Sequence, residues 1–96
     1  MDIRQTEQFS AWFHALKDDR AFAKIDMRIK RLAQGNAGDV APVGGGVSEM
    51  RIHHGPGYRV YFVNRGGMLV ILLCGGDKST QAKDIAIAKS LAKEVE

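Results

Sequence analysis

Two neighbouring stretches decide the fold: Val47-Ser48-Glu49-Met50-Arg51-Ile52-His53 and Tyr58-Arg59-Val60-Tyr61-Phe62-Val63-Asn64. In the first, Met50 and Ile52 alternate with Glu49, Arg51 and His53; in the second, Tyr58, Val60 and Phe62 alternate with Arg59 and Tyr61. Strand side chains alternate between faces, so each stretch reads as a strand with one apolar side. The two apolar sets share a face only if the connecting loop holds an odd number of residues, as Gly55-Pro56-Gly57 does. A hairpin follows, and its other face collects Glu49, Arg51, His53, Arg59 and Tyr61.

Working outward, Arg65-Gly66-Gly67 turns the chain into Met68 to Cys74, a run apolar on both sides. Such a run suits a central strand covered on each face. Beyond Gly75-Gly76, Ser79 or Thr80 caps a last helix running to about Val95, with Ile85, Ala88, Ala92 and Val95 inward and Leu91 beside them. Ile87 falls outside that sector and reads as a contact for a partner. Upstream, Gly35 to Gly46 holds five glycines and a proline without any period, and reads as a loop.

Before the loop stand two amphipathic helices. Thr6 caps the first, over about 7–17, with Phe9, Trp12, Phe13 and Leu16 at helical spacing. Asp18-Asp19 ends it and caps the second, about 20–34, whose Phe22, Ile25, Ile29 and Leu32 fall in one sector. The short opening segment 2–6 is a candidate strand through Ile3. With 96 residues in all, neither half buries a core alone, so residues 1–96 are expected to form one α+β domain: an N-terminal strand, a helical hairpin, an antiparallel sheet and a C-terminal helix.

Composition excludes several functions. A lone cysteine, Cys74, within Leu69-Val70-Ile71-Leu72-Leu73, rules out a disulfide framework and suits a buried, inert thiol. No secretory signal opens the chain, and no apolar run approaches the ~20 residues of a membrane helix, so a reducing cytoplasm is expected, with no membrane partner. The glycine pairs complete neither a P-loop nor a dinucleotide fingerprint. His53 and His54, adjacent on a strand, point to opposite sides and do not chelate one ion, so neither a metal site nor any cofactor is expected.

The net charge of +3 is unevenly spread: Arg20, Lys24, Arg28, Lys30 and Arg31 face only Asp26 within 20–34. Arg20, Lys24, Arg28 and Arg31 form a stripe opposite the apolar sector, a candidate RNA-binding or acidic-partner surface whose bland alternative is a solvated face. On the sheet, Arg51 and Arg59, with Tyr61 between and Lys78 past the central strand, concentrate positive charge. Guanidinium forks match phosphate oxygens, and an aromatic ring stacks on an unpaired base. RNA cleavage by internal transfer needs the 2′-hydroxyl deprotonated, the phosphorane charge neutralised and the 5′-oxygen protonated. Glu49 or His53 suits the base, Arg51 and Lys78 the charge stabilisers, and Arg59 a stabiliser or proton donor.

Four runs carry a resemblance: Gly-Asn-Ala-Gly-Asp at 35–39, Val-Gly-Gly-Gly-Val-Ser-Glu-Met-Arg-Ile at 43–52, Gly-Pro-Gly-Tyr-Arg-Val-Tyr-Phe at 55–62 and Leu-Leu-Cys-Gly-Gly-Asp-Lys-Ser-Thr-Gln at 72–81. Together they resemble the HigB-like addiction module killer toxins of the RelE/ParE superfamily. The resemblance implies the same α+β fold and ribosome-dependent mRNA cleavage, opposed by a cognate antitoxin, expected as a small helix-turn-helix protein. By position Arg59 looks like a catalytic arginine of RelE-like nucleases, with Arg51 and Lys78 near their other basic residues. The chain departs in having no aromatic after Phe62, and Glu49 where a basic residue is expected. The alternative reading is a ParE-like, non-catalytic inhibitor of a protein target such as DNA gyrase.

Overall fold

Thr6 joins the first helix to the sheet. Its hydroxyl accepts from the Phe9 amide at 3.0 Å, capping the helix, and donates to the Leu73 carbonyl at 2.6 Å. In the computed structural model, which describes residues 1–95, the chain runs β1 (Asp2–Gln5), α1 (Glu7–His14), α2 (Asp19–Ala33), β2 (Val40–Gly44), β3 (Val47–Ile52), β4 (Tyr58–Arg65), β5 (Leu69–Asp77) and α3 (Gln81–Glu94). A 3₁₀ turn, Lys78–Thr80, links β5 to α3. The sheet order is β1-β5-β4-β3-β2, antiparallel except for β1, which lies parallel to β5.

The parity argument holds. Met50, Ile52, Val60 and Phe62 meet Phe9, Phe13, Ile25 and Leu32 in one core under α1 and α2. Phe13 stacks on Phe22 with centroids 4.1 Å apart, locking the two helices together. Asp18 caps α2 by accepting from the Arg20 and Ala21 amides. The first helix stops at His14, short of the expected boundary near 17.

The stretch 35–46 is not all loop: Val40–Gly44 pairs with β3 as the sheet edge, with a register irregularity between Pro42 and Gly44. An edge strand pairs on one side only, so it tolerates a proline and glycines that a central strand rejects. Gly45 and Gly46 turn the hairpin at φ of +63° and +77°, where L side chains are strained.

β5 is interior, as expected, but runs on through Gly75 and Gly76 to Asp77, and β4 rather than β5 occupies the middle of the sheet. A register shift opposite Tyr61 and Phe62 lets Leu72 face the α1–α2 core while Leu73 and Cys74 both join the core beneath α3. A Cβ at Gly75 would overlap the Trp12 ring, and one at Gly76 the Asp84 carboxylate. The glycine pair therefore admits a side chain onto each face of the strand.

The face expected to be polar and open is covered by α3. Ile85, Ile87, Ala88, Leu91 and Ala92 pack there against Val47, Tyr61 and Leu73. Ile87 is partly buried there, packed against the edge of this core. Among the described residues no helix is long and apolar enough to cross a membrane.

Candidate active site

Beyond the edge of α3 the sheet opens into a cleft of about 430 Å³, walled by His53, His54, Gly55, Pro56, Gly57, Arg59 and Lys78. The hairpin turn supplies one wall, the start of β4 the floor, and the turn after β5 the lysine. Three of the expected residues, His53, Arg59 and Lys78, are therefore brought together.

Arg59 is 8% exposed, so it is not the surface side chain that strand alternation implies. Its Nη1 donates to the Gly57 and Tyr58 carbonyls, both at 3.3 Å. Its Nε is buried without a hydrogen-bond partner, 3.8 Å from Glu49 Oε1. Arg51 stands directly across the strand pair from Arg59. It donates from Nε to Glu49 Oε1 at 3.1 Å and sits 3.6 Å from Asp39.

Glu49 is 1% exposed and fully engaged. Besides Arg51, it accepts from Gln81 Nε2 at 2.8 Å, a contact from the first residue of α3. Burial raises the pKa of a carboxyl, but hydrogen bonds from Gln81 and Arg51, the nearby Tyr61 hydroxyl and the Arg59 charge outweigh it and leave Glu49 below its ordinary value. A carboxylate held this way is a weak base.

Tyr61 is wholly buried under α3, not an exposed platform for a base. Its hydroxyl lies beside Glu49 without a hydrogen bond of good geometry, and burial with that negative charge pushes its pKa up. Cys74 is buried as expected, its thiol pushed up to about 12 by burial and by the Asp84 charge.

His53 is exposed on the cleft wall, with Nε2 2.6 Å from Asp39 Oδ2. That carboxylate faces Nε2 and so fixes the orientation of the ring. Asp39 is held below its ordinary pKa chiefly by this hydrogen bond. His54 turns away to bond Asp18 at 3.0 Å, tying the turn to the start of α2. Asp39 and Gln81 are the residues missed at sequence level. Asp39 lies in the loop just before β2, and Gln81 stands as an ordinary first-turn residue of α3.

The basic stripe divides. Arg28 is committed to the fold, donating to the carbonyls of Arg51 at 2.7 Å, Ala37 at 3.2 Å and Asp39 at 3.3 Å. Lys24 and Arg31 are exposed and, with Met27, Arg28, Ile52 and His53, line a second groove of about 430 Å³. Arg20 is exposed at the start of α2 and lines neither hollow. Among the described residues no group of three or more His, Cys, Asp or Glu is placed to hold a metal.

The family model described as "Phage derived protein Gp49-like (DUF891)" matches residues 11–93, and the chain belongs to that family. It is a toxin-like family related to the RelE/ParE-type toxins. This family implies an antitoxin partner. An uncharacterized protein of Haemophilus influenzae (strain ATCC 51907 / DSM 11121 / KW20 / Rd) is 57% identical over 95 residues, covering 99% of this chain and 96% of the relative.

Proposed function

We propose that this protein is the HigB-like toxin of a type II toxin–antitoxin pair and that it cuts messenger RNA on the ribosome. The observation that carries the reading is the convergence of Arg59, Lys78 and the Asp39-oriented His53 on one open cleft. In this reading His53 Nδ1 takes the proton of the 2′-hydroxyl, and the 2′-oxygen attacks phosphorus. Arg59 and Lys78 neutralise the charge that gathers on the phosphoryl oxygens. The P–O5′ bond breaks, leaving a 2′,3′-cyclic phosphate on one product and a 5′-hydroxyl on the other.

His53 suits the base better than Glu49, whose two oxygens are already hydrogen-bonded in the interior. Arg59 acts as a charge stabiliser, because a guanidinium keeps its protons. The proton for the 5′-oxygen and the alignment of the attacking group then come from the ribosome, which accounts for a requirement for translating complexes. No metal is assigned a step. The groove between α2 and Ile52 shares His53 with the cleft, and its rim of Lys24 and Arg31 suits an acidic antitoxin segment or ribosomal RNA.

Primer extension on transcripts after brief induction, beside a plasmid supercoiling assay, tests the reading. Cuts confined to translated mRNA, with 2′,3′-cyclic phosphate ends, are expected. Intact transcripts with impaired supercoiling would overturn it in favour of a non-catalytic gyrase inhibitor.

A further inference from the structure

Arg51 and Arg59 stand opposite each other on adjacent strands, an arrangement in which two guanidiniums repel. One oxygen offsets this: Glu49 Oε1 lies 3.1 Å from Arg51 Nε and 3.8 Å from Arg59 Nε. The other oxygen, Oε2, is held at 2.8 Å by Gln81 Nε2. On the far side of Arg59 its strand partner is Gly76, and the Asp84 carboxylate fills the space a side chain there would take, bonded at 2.5 Å by the Thr80 hydroxyl. Arg59 therefore sits in a row between Arg51 and a second carboxylate, and among the described residues only Glu49 comes within 4 Å as its ion partner.

We infer that Gln81 is a positioning residue, which fixes the Glu49 carboxylate so that Glu49 in turn holds the Arg59 guanidinium at the cleft wall. Without that bond the carboxylate is held at Oε1 by Arg51 and is free to tilt toward it, away from the more distant Arg59. Gln81 opens α3 and follows the turn that carries Lys78, so the same few residues set both cationic groups of the cleft. The functional part of this inference rests on Arg59 being the charge stabiliser of the proposed cleavage; the geometric part does not.

The test compares the parent with Gln81→Leu, Arg59→Ala and the exchange Glu49→Gln with Gln81→Glu. The exchange keeps a donor–acceptor pair and the net charge but removes the negative group facing Arg59. Two readouts are taken on folded protein: the nitrogen-detected Arg59 Nε–H resonance with its solvent exchange, and cleavage of mRNA in purified translating ribosomes. Gln81→Leu should shift that resonance, speed its exchange and slow cleavage on the order of tenfold, short of the ~10²-fold that a 1 Å misplacement can cost. The exchanged pair should be less stable than the parent and, where folded, slow. An unmoved Arg59 resonance in Gln81→Leu, or full cleavage by the exchanged pair, overturns the inference. Full cleavage by Arg59→Ala would instead remove the proposed role of Arg59, and the resonance alone would then decide whether Gln81 positions it.

Discussion

On one face of the sheet, Phe9, Ile25, Met50, Val60 and Leu72 meet in an interior made of hydrocarbon and aromatic rings. On the other, Tyr61, Leu73 and Ala88 share the interior with Glu49, Arg59 and Asp84, all nine-tenths buried or more. The first face gains stability from burial alone. The second must satisfy every charge it encloses, and two atoms there, Arg59 Nε and the Tyr61 hydroxyl, lack a hydrogen-bond partner. Buried polar groups left unpaired are costly, and they cluster where a protein does chemistry. The difference separates a face that holds the fold from one that holds the candidate site.

The sharpest contrast should come from Phe9→Ala, which empties the centre of the dry face. A loss of about 3–5 kcal/mol is expected in urea unfolding. A cost below 1 kcal/mol would mean that this face is not the main source of stability. Gly76→Ala comes next, because its Cβ overlaps the Asp84 carboxylate on the polar face. A cost of about 1–3 kcal/mol is expected from forced displacement, and it should shrink when Asp84→Ala is added.

Arg59→Ala should abolish growth inhibition, measured on induction in cells. It should also cost roughly 1–3 kcal/mol, more than a surface change, because Glu49 loses a buried partner. Arg59→Lys should fail in the growth assay as well, since an ammonium lacks the planar fork. A fully toxic Arg59→Ala protein would detach the polar face from function.

Acid should act more on the polar face than on the dry one. Glu49 is held below its ordinary value of 4.5, so its contribution is complete above that value and is lost as pH falls through the lower, folded-state value. The urea midpoint should therefore fall on acidification below about 4.5, and Glu49→Gln should flatten that slope. An unchanged slope would show that Glu49 does not couple to folding. The smallest effect on stability belongs to Lys24→Glu with Arg31→Glu, within about ±0.5 kcal/mol, because both are exposed. Affinity for antitoxin or ribosome should nevertheless drop and lose its salt dependence. Arg28→Glu would instead destabilise the protein, since its guanidinium ties α2 to three backbone carbonyls.

Local pattern revealed what depends on local rules. The alternation of Met50 and Ile52 against Val60 and Phe62, with an odd loop, is a constraint within one hairpin, and it holds. The strand Val40–Gly44 escaped because an edge strand borrows its order from its neighbour, and Pro42 and Gly44 carry no signal of that pairing. The site was half legible. Arg59, Lys78 and His53 stand out as polar residues within or just past the strands, yet nothing in a single strand tells that α3 will lie over Glu49 and Tyr61. Asp39 and Gln81 belong to the site through contacts 14 and 32 residues away in the chain. Gly75-Gly76 carries a hint of close approach, but the apolar run that marks the strand ends before it, at Cys74.

The pairing of β1 with β5 bears on how the protein comes into being. Asp2 to Gln5 lie beside Leu69 to Leu72, and Thr6 bonds the Leu73 carbonyl across 67 positions of chain. While a ribosome is still synthesising the middle of the chain, the first strand has no neighbour and the two helices have only part of a sheet to rest on. Contacts that span most of a chain form only after loop closure is paid for, so they come late and together. The cleft closes later still, because Lys78 and Gln81 follow β5. A nascent chain therefore has no cleft until the turn after β5 has emerged, and Glu49 gains its partner Gln81 only as the last helix forms.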